Sequence, residues 1–373
     1  MPGSEATVAA PPDLQAVRQL FVDELEASAP VAEASDSIPE EALARFVALG
    51  ICALTVPPEL GGLGLTPPQA LPYLELAGMG PAWSRMLAHV GNGIWRPIAR
   101  YGSEEQRALI ARMAAGEAVV AFALTERTGG TGRDLHSRAV RDGDVWRLTG
   151  EKHLITFADR ADSFLLTAAG DERRAADSLT SFLLPRDTPG LEMEASQHTM
   201  GLAGTGHRRL RFDGMAVDDR HRLGPVGAGL EVAMSFLDYS RVSLSACMVG
   251  TAQRALDEAV AFARRRVTFG RPIADRQAIQ VHLADMHADV AAARALVREA
   301  AHAPEGAASA TAKLFCQNMV GRVTDLALRV HGGLGYTTAT PIERLYRDAR
   351  GYWFEEGTAE IQQLVIARHL LGA

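Results

Sequence analysis

Apolar positions along the 373-residue chain fall into three textures. From residue 13 to about 118 they recur three and four apart, the spacing of helix faces turned toward a core. Leu14, Val17, Phe21 and Leu25 form one such face after Pro12-Asp13, and Ser37-Ile38-Pro39-Glu40 opens another that continues through Leu43, Phe46 and Val47. Near residue 119 the pattern shortens into runs rich in β-branched and aromatic residues. Segments 137–141 and 144–148 predict a hairpin around the tight Asp142-Gly143 turn. Further strands are predicted at 152–156, 162–168, 179–184 and 208–213, separated or bounded by turns such as Pro189-Gly190 and Asp213-Gly214. From about residue 226 the helical period returns. Ile279, Leu283, Met286, Val290, Ala293 and Val297 make one stripe, and Phe315, Met319, Val323, Leu326 and Val330 a second. A last helix is predicted from near Thr358 with Ile361, Leu364, Val365 and Ile366. Long amphipathic helices of this kind pack as antiparallel bundles. The expected fold is mostly α with a central β domain: a helical domain over 13–118, a β domain over 119–222 and a helical bundle over 226–373.

Composition narrows the function. Hydrophobic residues make up 47% and charged residues 22%, as in an ordinary globular protein. A formal charge of −7 argues against a general nucleic-acid binder. Cys52, Cys247 and Cys316 lie far apart, without CxxC or zinc spacing, which points to a reducing compartment. The opening MPGSEATVAAPPD lacks the apolar core of a signal peptide, so a cytoplasmic location is expected. Only two of the 38 basic residues are lysines, Lys152 and Lys313.

Several chemistries are absent. The chain has no GxxxxGK[ST] phosphate loop, no GxSxG elbow and no HExxH. Gly130-Thr131-Gly132 and Gly333-Leu334-Gly335 lack the third glycine of a dinucleotide fingerprint. His282 and His287 sit five apart, off a common helix face, so no metal site is expected.

What remains is an ordered series of segments. Glu59-Leu60-Gly61-Gly62-Leu63-Gly64-Leu65 lies between N-terminal helices. Phe122-Ala123-Leu124-Thr125-Glu126 is followed by Gly129-Gly130-Thr131, a turn whose backbone N–H groups can approach a phosphate. Gly150-Glu151-Lys152-His153-Leu154-Ile155-Thr156 comes next, then Leu237-Asp238-Tyr239-Ser240-Arg241. Arg266-Val267-Thr268-Phe269-Gly270 with Gln277 meets the spacing R-x-x-F-G-x6-Q, and an arginine fork suits a diphosphate. Ala327-Leu328-Arg329-Val330-His331-Gly332-Gly333-Leu334-Gly335-Tyr336 and Phe354-Glu355-Glu356-Gly357-Thr358-Ala359-Glu360-Ile361-Gln362 complete the series. Together, from about residue 40 to the C-terminus, these segments resemble the acyl-CoA dehydrogenase family of flavoproteins.

That resemblance implies a helical N-terminal domain, a small β-barrel-like domain and a C-terminal four-helix bundle, assembled as a homodimer or homotetramer. It implies FAD, with Phe122, Leu124 and Thr125 along the flavin edge and Thr131 at the phosphates. Leu154 and Thr156 would lie beside the ring, and Thr358 and Glu360 in contact with the cofactor. Arg266, Phe269, Gln277, Arg329 and Gly333 would hold the far end of FAD, those of the R-x-x-F-G segment coming from a neighbouring subunit. Glu356 would be the catalytic base and Asp238 and Arg241 would lie at the substrate thioester. Some relatives carry the base just before the arginine of the L-D-x-x-R segment, where this chain has Ser240, which leaves Glu356. The sequence departs from the family pattern at Arg127, Gly132, Leu154, Arg329 and Glu355.

The activity implied is α,β-dehydrogenation of a saturated acyl-CoA to the 2-enoyl thioester, with hydride transfer to flavin N5 and electrons passing to an electron-transfer flavoprotein. The departures leave room for a dehydrogenase of acyl-carrier-protein thioesters from a biosynthetic pathway; the other rivals are a flavin oxidase or monooxygenase on the same scaffold, against which Glu356 argues, and a non-catalytic helical interaction protein.

Overall fold

The computed structural model describes residues 10–128, 134–170, 178–195 and 198–372; Thr131 and its glycine neighbours at 129, 130 and 132 lie outside these. Among the described residues six α-helices open the chain: α1 (Leu14–Gln19), α2 (Ala29–Ser35), α3 (Glu40–Ala48), α4 (Pro67–Gly78), α5 (Ala82–Tyr101) and α6 (Glu104–Ala114). Their starts follow local chemistry. Asp13 accepts the backbone N–H groups of Gln15 and Ala16, both at 3.0 Å, and Ser103 and Gln106 form a capping box at α6. Phe21, Phe46 and Trp83 meet edge to face, with centroids 5.9 and 6.0 Å apart, and tie the first helices to α5.

The middle of the chain is one sheet. Its strands are β1 (Val120–Ala123), β2 (Arg138–Asp142), β3 (Val145–Ile155), β4 (Ser163–Ala169), β5 (Leu179–Pro185), β6 (Glu192–Ala195), β7 (Arg208–Asp218) and β8 (Arg222–Leu223). The order is β6-β7-β3-β2-β4-β5-β8, with β1 added parallel to β4. Trp146, Leu148, Phe164, Phe182, Leu210 and Phe212 fill its core. Asp142 pairs with Val145 across the predicted tight turn, where Gly143 takes φ 64°. Asp213-Gly214, expected to bound a strand, instead lies inside β7. The β3–β7 register shifts there, Gly214 turns to φ 61°, and its N–H finds Thr149 Oγ1 at 3.0 Å, so the segment bulges without stopping. A second shift lies between Lys152 and Ile155. It sets Leu154 at φ 54° and turns it outward, 41% exposed.

The C-terminal part contains α7 (Gly229–Arg265), the short hairpin β9 (Val267–Thr268) and β10 (Arg271–Pro272), α8 (Gln277–Ala300), α9 (Gly306–His331), α10 (Ile342–Gly351) and α11 (Ala359–Leu371). The stripes of α8 and α9 face the core through Met286, Val290, Ala293, Val297, Met319, Val323 and Val330. Helix α7 runs against α4 at backbone contact. A Cβ on Gly250 would lie 1.8 Å from Glu75 O, and one on Gly78 2.0 Å from Cys247 O, so only glycine admits this approach. The apolar residues of α11 behave differently from expectation. Gln362 is its buried residue, while Leu364, Leu370 and Leu371 are 51%, 77% and 80% exposed. The helix lies on α9 with that side left open within one chain.

Candidate active site at the 354–362 turn

Between α10 and α11 the chain makes a strained turn. Glu356 adopts φ 53° and Gly357 φ 93°. A left-handed glutamate is costly unless its surroundings fix it, and three side chains, two from distant helices and one from α11, do so. Lys313 Nζ on α9 donates to Gly357 O at 2.6 Å. Gln362 Nε2 donates to Glu356 O at 3.0 Å and Gly357 O at 3.2 Å. Arg241 Nε on α7 makes a longer contact to Glu356 O at 3.5 Å. Lys313 is fully buried. Burial pushes its ammonium down to about 8, while Glu355 and Glu356 pull the other way.

The two adjacent acids diverge. Glu355 accepts a bidentate pair from Arg85 of α5, at 2.8 and 3.0 Å, and Arg85 stacks 4.0 Å over the Tyr352 ring. Burial pushes the Glu355 carboxyl up, but Arg85 more than offsets it and holds the group below the usual carboxylate range. Glu356 Oε1 lies 2.9 Å from His89 Nε2, also on α5. That ring touches Ser240 Oγ at 3.1 Å through the same nitrogen and Ser243 Oγ at 2.9 Å through Nδ1. Ser243 spends its hydroxyl proton on Ser240 O at 3.0 Å. In that arrangement Nδ1 donates to Ser243, and Nε2 faces both Glu356 Oε1 and Ser240 Oγ. Arg241, 4% exposed, pairs with Asp238 at 3.0 Å. Burial lowers the guanidinium and raises the Asp238 carboxyl, each drawn back by the other's charge.

The β domain faces this turn from the other side. Thr156 Oγ1 lies 3.3 Å from His207 Nε2, and His207 sits in the fields of Glu355 and Arg85, with burial pushing its imidazole down. Phe122 packs against Phe236 of α7 at 4.9 Å, and Phe236 lies 6.3 Å from His89. Leu124 clusters with Leu237. His153 N donates to Thr125 O at 2.8 Å, while Lys152 Nζ donates to Leu124 O at 3.1 Å and Glu126 Oε1 at 2.7 Å, which locks β1 to β3. The structure therefore brings Phe122 and Leu124 against α7 and Thr156 beside His207, while Thr125 and Leu154 lie exposed next to them. Thr358 is the N-cap of α11, and its hydroxyl lowers the carboxyl of exposed Glu360 by a hydrogen bond.

Arg266, Phe269, Gln277, Arg329 and Gly333 gather elsewhere. All five are exposed, Phe269 to 95%. The R-x-x-F-G segment forms the β9–β10 hairpin. Just before it, Phe262 near the end of α7 stacks on His331 at the end of α9, centroids 4.3 Å apart. Arg329 reaches only Asp325, at 3.9 Å. Arg241 lies a third of the way along α7 and Arg266 just past its end, about 37 Å away at 1.5 Å per residue. One chain does not bring this group to Glu356.

The donor set fits a flavin. An exposed threonine follows β1, a bulge presents an apolar side chain outward at Leu154, and a hydroxyl follows at Thr156. These are a polar edge and an apolar face for a flat ring. Arg85, His89 and Ser243 are the site residues that sequence reasoning missed. Among the described residues no cluster of three metal-ligating side chains occurs, and no helix is long and apolar enough to cross a membrane.

Comparison with known proteins agrees with this layout. Residues 14–117, 121–215 and 227–371 match the family descriptions "Acyl-CoA dehydrogenase, N-terminal domain", "middle domain" and "C-terminal domain" respectively. The chain is 34% identical over 366 residues to the short-chain specific acyl-CoA dehydrogenase of Homo sapiens, covering 96% of this chain and 89% of that one. It superimposes with a TM-score of 0.90 on a glutaryl-CoA dehydrogenase from Mycobacterium smegmatis in complex with FADH2, at 26% identity over 96% of this chain and 94% of that one. It also resembles the prolyl acyl carrier protein oxidase AnaB, with TM-score 0.87 and 26% identity over 97% of this chain and the whole of the other.

Proposed function

Because the chain belongs to the acyl-CoA dehydrogenase family of FAD-dependent oxidoreductases acting on CH–CH groups, we propose that it converts a saturated acyl thioester to the 2-enoyl thioester with Glu356 as the α-proton base. The observation that carries this reading is the Glu356 carboxylate itself. Its backbone is left-handed and anchored by three side chains, and the carboxylate meets His89 of α5. Bound FAD supplies the acceptor for the β-hydride.

Glu356 takes the α-proton, and its backbone N–H donates to the thioester carbonyl as negative charge builds there. His89 keeps the carboxylate directed. Arg241, neutralised by Asp238, steadies the turn beside the thioester. Phe122 and Phe236 keep water from the acyl side. Phe122, Leu124, Thr125, Leu154, Thr156, Thr358 and Glu360 hold the flavin end of FAD. Arg266, Phe269, Gln277, Arg329 and Gly333 of a second copy hold its far end, so the working unit is at least a homodimer. Electrons then leave to an electron-transfer flavoprotein.

A carrier-protein thioester is the second reading, favoured by the likeness to AnaB and by the Arg85–Glu355 pair, where the family commonly has an aromatic residue. Anaerobic reduction of the purified flavoprotein by matched CoA and carrier-protein thioesters tests both. Bleaching by CoA thioesters supports the first, bleaching confined to carrier-protein thioesters supports the second, and none contradicts both.

A further inference from the structure

The chain carries a formal charge of −7, yet one cleft in it is cationic. Helices α1, α4, α7 and α8 line a hollow of about 670 Å³, within the span of about 300–1,000 Å³ usual for small-ligand sites. Its wall is aliphatic: Leu14, Leu71, Pro72, Leu76, Val249 and Val297 line it, and no aromatic ring does. A flexible alkyl chain suits such a wall, whereas a flat ring finds nothing to stack on.

Charge selects the other end of the ligand. Glu75 is the one acid lining the cleft, and Arg294 takes it at 2.5, 3.0 and 3.1 Å. Arg18 and Arg298 line the same cleft, so three arginines less one glutamate leave two positive charges. Arg18 Nη1 meets the sulfur of Met79 at 3.4 Å, and among the described residues neither guanidinium has a carboxylate within 4.0 Å. Leu71, Val249 and Val297 are buried while Arg18, Arg298 and His302 are exposed, so an apolar floor lies under a cationic mouth. A neutral amphiphile leaves the two charges unanswered, a cationic one is repelled, and a small anion leaves the floor wet. Guanidinium forks serve a carboxylate and a phosphate alike. None of these residues belongs to the set placed at Glu356 or at FAD, and Arg294 lies about 25 Å along α8 from Gln277.

We propose that this cleft is a second binding site, separate from the thioester site, for a single-chain anionic amphiphile. Its alkyl tail lies on the aliphatic floor, and its carboxylate or phosphate head meets Arg18 and Arg298.

Isothermal titration of the holoenzyme tests this with decanoate, decyl phosphate, decanol and acetate, at fixed ionic strength and below micelle formation. The expected result is one decanoate or decyl phosphate per chain, bound at least about tenfold more tightly than decanol, as hydrogen bonds to a charged group provide. Acetate does not bind measurably. The tighter of the two anions identifies the head group as carboxylate or phosphate. Arg18→Gln with Arg298→Gln brings the anion within about twofold of decanol. Leu14→Asp suits the first turn of α1 but opposes the head group, and weakens the anion about tenfold. Both variants keep the parent's rate of flavin reduction by an acyl thioester. Decanol bound as tightly as the anions, acetate bound as tightly as decanoate, or no binding at all overturns the proposal. So does anion binding that neither variant moves, because the amphiphile then sits elsewhere. Loss of flavin reduction in both variants overturns the separation of the cleft from the thioester site.

Discussion

Lys313 Nζ donates to the carbonyl oxygen of Gly357 at 2.6 Å, so a buried ammonium on α9 clamps the residue next to the proposed base. The bond fastens a part of the site whose backbone is strained. It also accounts for one of the chain's two lysines: a compact charge on a flexible stem reaches a carbonyl that a planar guanidinium does not fit.

Lys313→Met is therefore expected to lower the rate of flavin reduction by roughly 10–100-fold, in line with the sensitivity of catalysis to small misplacements, while flavin absorption is retained. Rapid-reaction measurements on the reconstituted variant check this. A rate equal to that of the parent removes Lys313 from the positioning role.

Gly357→Ala strains the same turn from within. The added Cβ would sit 2.9 Å from Gln362 Nε2 on a backbone at φ 93°. The expected cost is about 1–3 kcal/mol, read as a lowered unfolding midpoint, together with slower flavin reduction because Gln362 is pushed off Glu356 O.

Lys152 and Glu126 form a pair at 2.7 Å, exposed by 0% and 2% at their side chains. Burial pushes the Glu126 carboxyl up, but Lys152, Ser137 and His136 N together hold it below its ordinary value. A carboxyl depressed in the folded state stabilises above its unfolded value of about 4.3, and that stability is lost as pH falls through the lower folded value. Denaturant unfolding between pH 3 and 7 should show this loss, and Glu126→Gln should flatten it. Lys152→Met leaves the carboxylate buried without its partner and is expected to cost about 3–5 kcal/mol.

Arg266→Ala tests the two-chain cofactor site. Because Arg266 lies at the far end of α7 from Arg241, the variant is expected to raise the Kd for FAD by about tenfold or more without changing the unfolding midpoint of the apoprotein. Unchanged FAD affinity in the assembled protein contradicts a role for the hairpin at the cofactor.

Much of this was readable in advance. The helical stripes at 279–297 and 315–330 bury as their spacing demands, and Asp142-Gly143 forms its turn because no tertiary contact opposes it. Glu356 stood out through the Gly357-Thr358 step that starts α11. Arg85 and His89 did not. Four apart on a helix, they look like a solvent-facing stripe, and their partners Glu355 and Glu356 lie 270 and 267 residues away. Only the packed structure shows that this stripe is buried. Asp213-Gly214 misled for a related reason: a pair that ends strands locally became a bulge because Thr149 supplied a partner from β3. The exposed leucines of α11 show the opposite limit, since an amphipathic pattern reports an apolar face but not which molecule covers it.

The central claim is that the carboxylate of Glu356 removes the α-proton. Stopped-flow flavin reduction of Glu356→Gln, under anaerobic conditions with the thioester that best reduces the parent protein, tests it most directly. The account predicts retained flavin absorption, retained thioester binding and a reduction rate lower by about a thousandfold or more. Reduction within about tenfold of the parent rate would contradict it.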